Sequence, residues 1–388
     1  MKRHGVLFAL IVLSSPYGQG QSFETLVTRI SALSATQQQV VADSFLSANR
    51  TLPLCENDTT VFFIAQRSAT TLSVTGDASN WDAKGSAMTR IGATNLWYCR
   101  QNFEADARLD YKFVVNGNLW VLDEHNPLTC RGGFGVNSEL RMPRYRVSPE
   151  YQFSSDIPHG VLHDTTFEST LLGNSRKVRI YTPPGYEASN DSFPVILFHD
   201  GLEYITLAQA NNILDYLISQ KRIMPVIAVF VPPVNRSEEY VFPQLQAFMQ
   251  FIVRDVMAGV DASYRTRRSP AARAVLGASN GGNISLWLGY QYPHVFGNIG
   301  AQSSYIAPSL SERFQSGAKL DLKLYLDLGT YDIPLLMRQV LNFIPMLKEK
   351  GYPFLYREYH QGHSWGNWRA HLKDALEYFF GTSTAQTR

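Results

Sequence analysis

The chain has 388 residues, of which 45% are hydrophobic and 18% are charged. This composition is typical of globular chains with room for two domains, and it excludes an intrinsically disordered protein. The formal net charge is +2, a near-neutral balance that gives no electrostatic reason to expect a nucleic-acid partner.

The first twenty residues have the layout of a secretory signal peptide. Lys2 and Arg3 precede the apolar run GVLFALIVL, and small glycines follow it, so residues 1–20 are interpreted as a signal peptide that is cleaved after Gly20. A short buried helix is the alternative. The run is too short to span a bilayer comfortably, and no other segment approaches the required length. We therefore predict a secreted or periplasmic protein with no membrane span.

Two different patterns follow in the first half of the chain. Residues 21–52 place apolar side chains at helical spacing and are predicted to be helical. Residues 53–145 contain short aromatic and β-branched runs separated by turn residues, which is the pattern of a small all-β sandwich. The runs are TVFFIAQ, TTLSVTGD, LWYCRQNF, LDYKFVVNG and LWVLDE.

Three cysteines lie in this part of the chain. Export would permit one disulfide and leave one thiol over. Cys55 precedes the first strand-like run and Cys130 follows the last clear one, so we expect these two residues to be bridged and Cys99 to be a buried thiol.

A second domain is predicted over residues 159–388, after a polar linker over residues 146–158. Strand-like runs such as FPVILFHDG and MPVIAVFVPP alternate there with helix-like runs such as FPQLQAFMQFIVRDVMAGV. This alternation predicts an α/β fold, with a mostly parallel sheet covered by helices on both faces. Ligands of such sheets gather at the carboxyl ends of the strands, so residues that follow strands are the candidates for function.

Three of those residues have the chain order of a hydrolase triad. The stretch AVLGASNGGNIS places Ser279 between small residues where a strand meets a helix, the position of a nucleophile held on a sharp elbow. Asp332 follows LYLDLGTY, and His363 follows PFLYREYHQG. A serine hydroxyl needs a base to take its proton, and a carboxylate orients the histidine that does so. Asp327, inside the strand, is the alternative acid, and an ordinary tight turn is the alternative for the serine.

A developing oxyanion would need backbone donors near the serine. We expect the N–H of Asn280 to be one of them and an N–H at Gly201 or Leu202 to be the other. Residues 235–239 (NRSEE) follow a strand and are interpreted as a solvated loop, with charge placed at the pocket rim as the alternative. Substrate-pocket candidates at the strand ends are His199, Asp200, Ser304, Tyr305 and Trp365.

No metal site and no other cofactor are expected. The pairs His360–His363 and His159–His163 have spacings that occur in metal sites. Neither pair is accompanied by a third ligand.

These stretches of the second domain, together with HGVLHDTTFESTLLGNSRKVRIYTPPGY and GHSWGNWR, resemble the α/β-hydrolase esterase family that includes enterochelin esterases, feruloyl and acetyl-xylan esterases and esterase D. The resemblance spans residues 159–380 and implies that Ser279, Asp332 and His363 form the triad. Two departures concern the oxyanion hole: HDG stands where HGG is often found, and Asn280 stands where Leu or Met is commoner.

The stretches GDASNWD and DYKFVVNGNLWVLDEHNP resemble the early-set module found ahead of glycogen-branching enzymes and some esterases, which implies a small immunoglobulin-like β-sandwich. Such modules bind glucans through exposed aromatic residues in some relatives. Trp81, Trp97 and Trp120 are the candidates here, with core packing as the alternative. No candidate acid, base or nucleophile lies before residue 155, so this module is expected to be dispensable for the chemistry.

Three functions are open at this point. The sequence favours an exported serine esterase whose partner is a small-molecule or polysaccharide-linked ester, of feruloyl or acetyl type. The second candidate is an enterochelin esterase, which would cleave the ester linkages of a catecholate siderophore. The third, from another class, is a non-catalytic carbohydrate-binding protein. The oligomeric state is left open.

Overall fold

The structure is a computed structural model that describes residues 22–49 and 51–382, so the predicted signal peptide lies outside the described residues. The chain packs as two compact units. Among the described residues, the first unit contains those up to 106, 111–129 and 138–144, whereas the second contains 107–110, 130–137 and 145–382. Two short segments that precede the expected linker therefore pack as part of the second unit.

The first unit combines helices with small antiparallel sheets. Its helices are α1 (Phe23–Ser31) and α2 (Ala35–Ala48), and they are separated at Ser34, which forms a capping box with Gln37. The strands that lie in or run through this unit are β1 (Leu54–Cys55), β2 (Thr60–Gln66), β3 (Leu72–Gly76), β4 (Ser86–Ala87), β5 (Thr89–Arg90), β6 (Leu96–Asn102), β7 (Arg108–Val115), β8 (Leu119–Val121), β9 (Thr129–Gly132) and β10 (Gly135–Arg141). Strands β1, β2, β6 and β5 form one sheet, while β3 pairs with β4 and β7, and β8 pairs with β7.

The three tryptophans of this unit have two different environments. Trp97 is buried, and its Nε1 donates to the carbonyl of Arg67 at 3.0 Å, as core packing predicts. Trp81 and Trp120 stack on each other with ring centroids 6.4 Å apart, and Trp120 is 40% exposed. Glycan binding by this stacked pair stays a prediction.

The expected disulfide is not formed. Cys55, Cys99 and Cys130 are all present as thiols, and Cys99, which was expected to be buried, is only half-buried. Cys130 lies in the 130–137 segment that packs with the second unit, whereas Cys55 lies on β1 of the first unit. Sequence position at the two ends of the strand-rich region therefore did not predict pairing, because the chain does not keep that region in one unit.

The second unit is the α/β domain. Its strands are β11 (Val161–Ser169), β12 (Asn174–Thr182), β13 (Val195–His199), β14 (Ile227–Val231), β15 (Arg273–Ala278), β16 (Asn298–Gln302), β17 (Lys323–Tyr331) and β18 (Phe354–Gly362). Its helices are α3 (Gly201–Thr206), α4 (Ala210–Ser219), α5 (Arg236–Tyr240), α6 (Leu245–Gln250), α7 (Ala258–Ser263), α8 (Asn280–Gln291), α9 (Pro308–Ser316), α10 (Pro334–Glu349) and α11 (Trp365–Phe380). A π-helical segment, Phe251–Met257, connects α6 and α7.

The sheet of this unit has the order β11-β12-β14-β13-β15-β16-β17-β18. Pairing is antiparallel among β11, β12 and β14 and parallel from β14 to β18. Successive residues of β13 enter two different cores: Val195 and Leu197 join one cluster, and Ile196 and Phe198 join the other. A sheet buried on both faces explains why its strands read as continuous apolar runs. The predicted α/β fold with a mostly parallel sheet is confirmed.

Within residues 22–49 and 51–382, the helices are all too short or too polar to serve as a membrane span.

Candidate active site

The carboxyl ends of five neighbouring parallel strands converge at one edge of the sheet. The register places Ala278 of β15 beside Gln302 of β16, and Gln302 beside Asp327 of β17. The residues that leave this edge are Asp200 after β13, Ser279 after β15, Ser303 after β16, Asp332 after β17 and His363 after β18. This is the edge at which open α/β sheets bind ligands.

Ser279 stands on a strained turn between β15 and α8. Its backbone has φ 56° and ψ −122°, a left-handed region that side chains other than glycine rarely adopt and that recurs at functional sites. Strand and helix approach so closely that a Cβ on Gly277 would clash with the backbone of Gly281. We call residues 277–281 the nucleophile elbow. Ser279 is half-buried, and its N–H donates to the carbonyl of Gln302 at 2.8 Å.

His363 and Asp332 are in direct contact. The distance from His363 Nδ1 to Asp332 Oδ1 is 2.7 Å, and the side chains are 19% and 0% exposed. Asp332 Oδ1 also accepts the N–H of Ile333 at 2.7 Å. Because a carboxylate only accepts hydrogen bonds, Nδ1 of the histidine carries the proton, which leaves Nε2 as its basic nitrogen. The ring of Trp368 packs edge-on against the His363 ring at 5.1 Å.

Asp327 has a different environment. Its Oδ2 accepts from Gln302 Nε2 and from the Tyr325 hydroxyl, both at 3.1 Å, and its Oδ1 accepts the N–H of Ser303 at 3.1 Å. Burial raises the pKa of Asp327 to about 7. The Asp327 carboxyl therefore accepts hydrogen bonds from buried groups of β16 and β17 and from Ser303. The carboxylate that contacts His363 is that of Asp332.

The expected oxyanion donors lie at two helix starts. Asn280 is the first residue of α8 and Gly201 is the first residue of α3, and the first N–H groups of a helix have no partner within it. A Cβ on Gly201 would clash with the backbone of Phe230 and Val231, so α3 begins tightly against β14. The side chain of Leu202 is 40% exposed.

Arg236 explains why aspartate is tolerated in the HDG sequence. Asp200 has φ 52°, a conformation for which glycine is the usual residue. Its carboxylate is held by a bidentate pair with Arg236, with both N–O distances at 2.8 Å. The Arg236 Nη2 also donates to the carbonyl of Ala278 at 3.2 Å, so one guanidinium connects the start of α3 to the nucleophile elbow.

The expected solvated loop over residues 235–239 is therefore wrong. The segment leads into helix α5, and Glu239 is fully buried against Arg176, with N–O distances of 2.9 and 3.0 Å. The charged residues that follow the strand gave no indication of this ion pair in the sequence, because Arg176 lies on a different strand, β12.

Several of the predicted pocket residues are buried in the interior and are not exposed at the strand ends. His199 and Ser304 are fully buried, and Trp365 is only 8% exposed. Burial lowers the pKa of His199 to about 3, so its ring is neutral, and it packs against Tyr240 at 5.3 Å. The Ser304 hydroxyl would collide with any side chain on Gly282. The side chains of His199, Ser304 and Trp365 are thus inaccessible to most of the solvent, whereas Tyr305 is half-buried.

Gln302 connects several parts of the site, a role the sequence did not reveal. Its carbonyl accepts from Ser279, its Oε1 accepts from the Tyr204 hydroxyl at 3.0 Å, and its Nε2 donates to Asp327. Nε2 also lies 3.3 Å from the carbonyl of Trp368. Its position at the end of β16 was the available signal, but the burial of the amide appears only in three dimensions.

No cluster of three or more His, Cys, Asp or Glu side chains with metal-binding geometry occurs in the part of the chain that the structure describes.

Sequence comparison identifies a family and several relatives. The model of the family described as "Putative esterase" matches residues 169–379, more than half of the chain. The uncharacterized protein YjcH of Bacillus subtilis is 25% identical over 234 residues, which cover 56% of this chain and 97% of that protein. The endo-1,4-beta-xylanase/feruloyl esterase of Xylanibacter ruminicola is 24% identical over 209 residues, which cover 50% of this chain but 28% of that protein.

Solved structures of esterases share the fold. The enterobactin esterase of Shigella flexneri superposes with a TM-score of 0.72 at 21% identity, covering 86% of this chain and 97% of that one. A ferulic acid esterase from Anaeromyces mucronatus superposes with a TM-score of 0.52 at 17% identity, covering 61% of this chain and 99% of that one. At these identities the likeness concerns the architecture alone.

Proposed function

The chain belongs to the esterase family whose model it matches, and on that premise we propose that it is an exported serine esterase with the triad Ser279, Asp332 and His363. The observation that carries the proposal is the 2.7 Å contact between His363 Nδ1 and Asp332 Oδ1, at the sheet edge where Ser279 stands on its strained turn. Family membership makes the chain a carboxylic ester hydrolase, so a non-catalytic carbohydrate-binding protein is no longer an open alternative.

The proposed reaction passes through an acyl-enzyme. Ser279 Oγ attacks the ester carbonyl while His363 Nε2 takes its proton, and Asp332 stabilises the imidazolium that forms. The N–H groups of Asn280 and of Gly201 or Leu202 bind the oxyanion of the tetrahedral intermediate. His363 then gives its proton to the departing alcohol. Water, activated by the same histidine, releases the acid and restores Ser279.

Feruloyl- or acetyl-type esters on carbohydrate are the proposed substrates. The charge of Arg236 is neutralised by Asp200, so it offers no net positive charge to a highly anionic ligand. Exposed apolar side chains follow the same strand ends, namely those of Leu202, Ile333 and Leu335, and they suit an uncharged acyl group. The Xylanibacter relative, which is named as a xylanase and feruloyl esterase, points to the same class.

A catecholate siderophore ester is the second candidate substrate. The favouring observation is that the Shigella enterobactin esterase matches this fold over 86% of the chain, well beyond the esterase domain. An anionic siderophore would require cations at the pocket rim, for which Arg338, exposed on α10, is the candidate.

Export is proposed from the pattern of residues 1–20. Determining the N-terminal residue of the protein secreted from an expressing cell tests it. A mature chain that begins near Gln21 is expected, and a secreted or cytosolic chain that retains Met1 would contradict the proposal.

The proposed activity is tested with a panel of four esters: p-nitrophenyl acetate, methyl ferulate, acetylated xylan and a ferric catecholate trilactone. We expect turnover of the first three, with Ser279→Ala inactive toward all of them. Turnover of the trilactone alone would establish the second candidate. Full activity of Ser279→Ala would contradict the serine-esterase mechanism itself.

A further inference from the structure

A residue far upstream of the triad contacts the loop that carries His363, the candidate catalytic histidine. Residues 107–110 pack with the second unit, and Arg108 among them is 1% exposed. Arg108 pairs in parallel with Gln361 of β18, two positions before His363. We call residues 361–366 the histidine loop.

The guanidinium of Arg108 contacts the histidine loop on the other side of His363 as well. Its Nη1 donates to Ser364 Oγ at 3.2 Å, and Ser364 is the N-cap of α11, whose hydroxyl also accepts the N–H of Asn367. Any Cβ on Gly366 would clash with the guanidinium. Arg108 therefore touches residues before and after His363 and packs flat against the first turn of α11.

The charge of Arg108 is balanced by groups from the same upstream segments. Asp110, also 1% exposed, lies 2.6 Å from Arg108 Nη2, and Asn137 Nδ2 donates to the second oxygen of Asp110 at 3.1 Å. A buried charge without such a partner would be strongly destabilising. Residues 107–110 and 130–137 thus supply this ion pair and its Asn137 contact to the second unit.

The location of this cation is unfavourable for the helix itself. The N-terminus of a helix carries partial positive charge and favours anions, so placing a guanidinium at the start of α11 does not stabilise that helix electrostatically. What the guanidinium does provide is a rigid, planar surface with several donors. It binds the Ser364 hydroxyl and packs against Gly366, while the backbone of Arg108 pairs with Gln361.

From these contacts we infer that Arg108 is a positioning residue for His363: it fixes the histidine loop so that the imidazole is aimed at Ser279. The inference rests on the proposed serine-esterase function. It replaces the expectation that the region before residue 155 is dispensable for the chemistry, because misplacing a reacting group by about 1 Å can cost about 10²-fold in rate.

The test compares two buried arginines. Arg108→Lys keeps the charge opposite Asp110 but removes the planar fork, and we expect kcat on p-nitrophenyl acetate to fall about 10²-fold while KM stays within about twofold. The matched control is Arg273→Lys, which alters a buried pair with Asp261 at the far end of β15. The control is expected to lower the melting temperature to a similar degree and to keep kcat.

A second variant and a spectroscopic readout guard against loss of folding. Arg108→Gln combined with Asp110→Asn removes both charges of the pair together, and it should show the same loss of kcat. In the folded variants, the downfield proton resonance of the His363 Nδ1–H bond to Asp332 should shift or broaden, and in Arg273→Lys it should not.

The outcomes separate the inference from the function on which it rests. If Ser279→Ala is inactive but the folded Arg108 variants keep the wild-type kcat and His363 resonance, the positioning role is overturned and the esterase function stands. If Ser279→Ala remains active in the same assay, both fall. If the Arg108 variants and Arg273→Lys lose kcat equally, Arg108 is only structural and the inference is overturned.

Discussion

The nucleophile elbow and the histidine loop hold two members of the proposed triad by different means. The elbow is local: Gly277 and Gly281 are near neighbours in sequence, and the lack of a side chain on Gly277 lets the strand touch the backbone of Gly281 in the helix after Ser279. The histidine loop is held by remote residues, since Asp332 lies 31 positions from His363 and Arg108 lies 256 positions from Ser364. The elbow is therefore expected to be disrupted by substitutions within its own residues. The histidine loop can also be disrupted by substitutions at distant positions, which no short sequence motif identifies.

The largest expected effect on kcat comes from removing either the proton donor, Ser279, or the proton acceptor, His363. Ser279→Ala and His363→Ala should each lower kcat on p-nitrophenyl acetate by roughly 10⁴-fold or more without unfolding the protein, and the double variant should be hardly worse, because the two groups act as one unit. Steady-state kinetics and thermal unfolding of the three variants check this. Losses that multiply in the double variant would mean that the two side chains act independently.

Removing the Asp332 carboxylate should lower kcat somewhat less than removing the Ser279 hydroxyl. Asp332→Asn leaves the histidine in place but disfavours the tautomer with Nδ1–H, so kcat should fall by a large factor that is still about tenfold to hundredfold smaller than for Ser279→Ala. Asp327→Asn is the matched control, since its carboxyl bonds to Gln302 and Tyr325. Abolished turnover in a stable Asp327→Asn protein, with Asp332→Asn active, would exchange the two assignments.

Substitutions at two glycines test whether the close approach of β15 and α8 determines the nucleophile elbow. Gly277→Ala places a Cβ into the backbone of Gly281, so we expect about 1–3 kcal/mol of lost stability, together with reduced kcat as the elbow shifts. Gly281→Ala is the control, because the nearest atoms to its Cβ would be side-chain atoms, Asp200 Oδ2 at 3.2 Å and His199 Cβ at 3.5 Å, and not backbone. Chemical denaturation and kinetics of both variants provide the comparison. Equal tolerance of the two substitutions would show that the close approach does not determine the elbow.

The smallest expected effect is a pH dependence at Asp327. Burial raises the pKa of this carboxyl to about 7, against about 3.9 in an unfolded chain. Between pH about 4 and about 7 the folded protein keeps a proton that the unfolded chain has lost, so this contribution to stability is present below that window and is lost as the pH rises through it. Asparagine cannot ionise. The melting temperature of Asp327→Asn should therefore lie further below that of the wild type at pH about 5 than at pH about 8, and a constant difference would contradict the raised pKa.

Local patterns in the sequence predicted the α/β fold and the order of the candidate site residues. Continuous apolar runs mark strands buried on both faces, and small residues around Ser279 mark a turn that only a strained backbone can make. Such features depend on neighbours along the chain. The sequence also placed Asp332 after its strand, but it left Asp327 as an alternative because the two lie so close together. The choice needs the position of His363, which is set by the register between β17 and β18.

Other parts of the site were decided only by the tertiary structure. The pairing of Arg236 with Asp200, the buried amide of Gln302, and the packing of residues 107–110 against the histidine loop join segments that no common motif connects. The absent bridge between Cys55 and Cys130 and the buried Glu239 belong to the same class. The physical reason is shared: a sequence pattern specifies backbone conformation over a few residues, whereas the partner of a buried charge or amide depends on which distant side chains the folded sheet brings within about 3 Å of it.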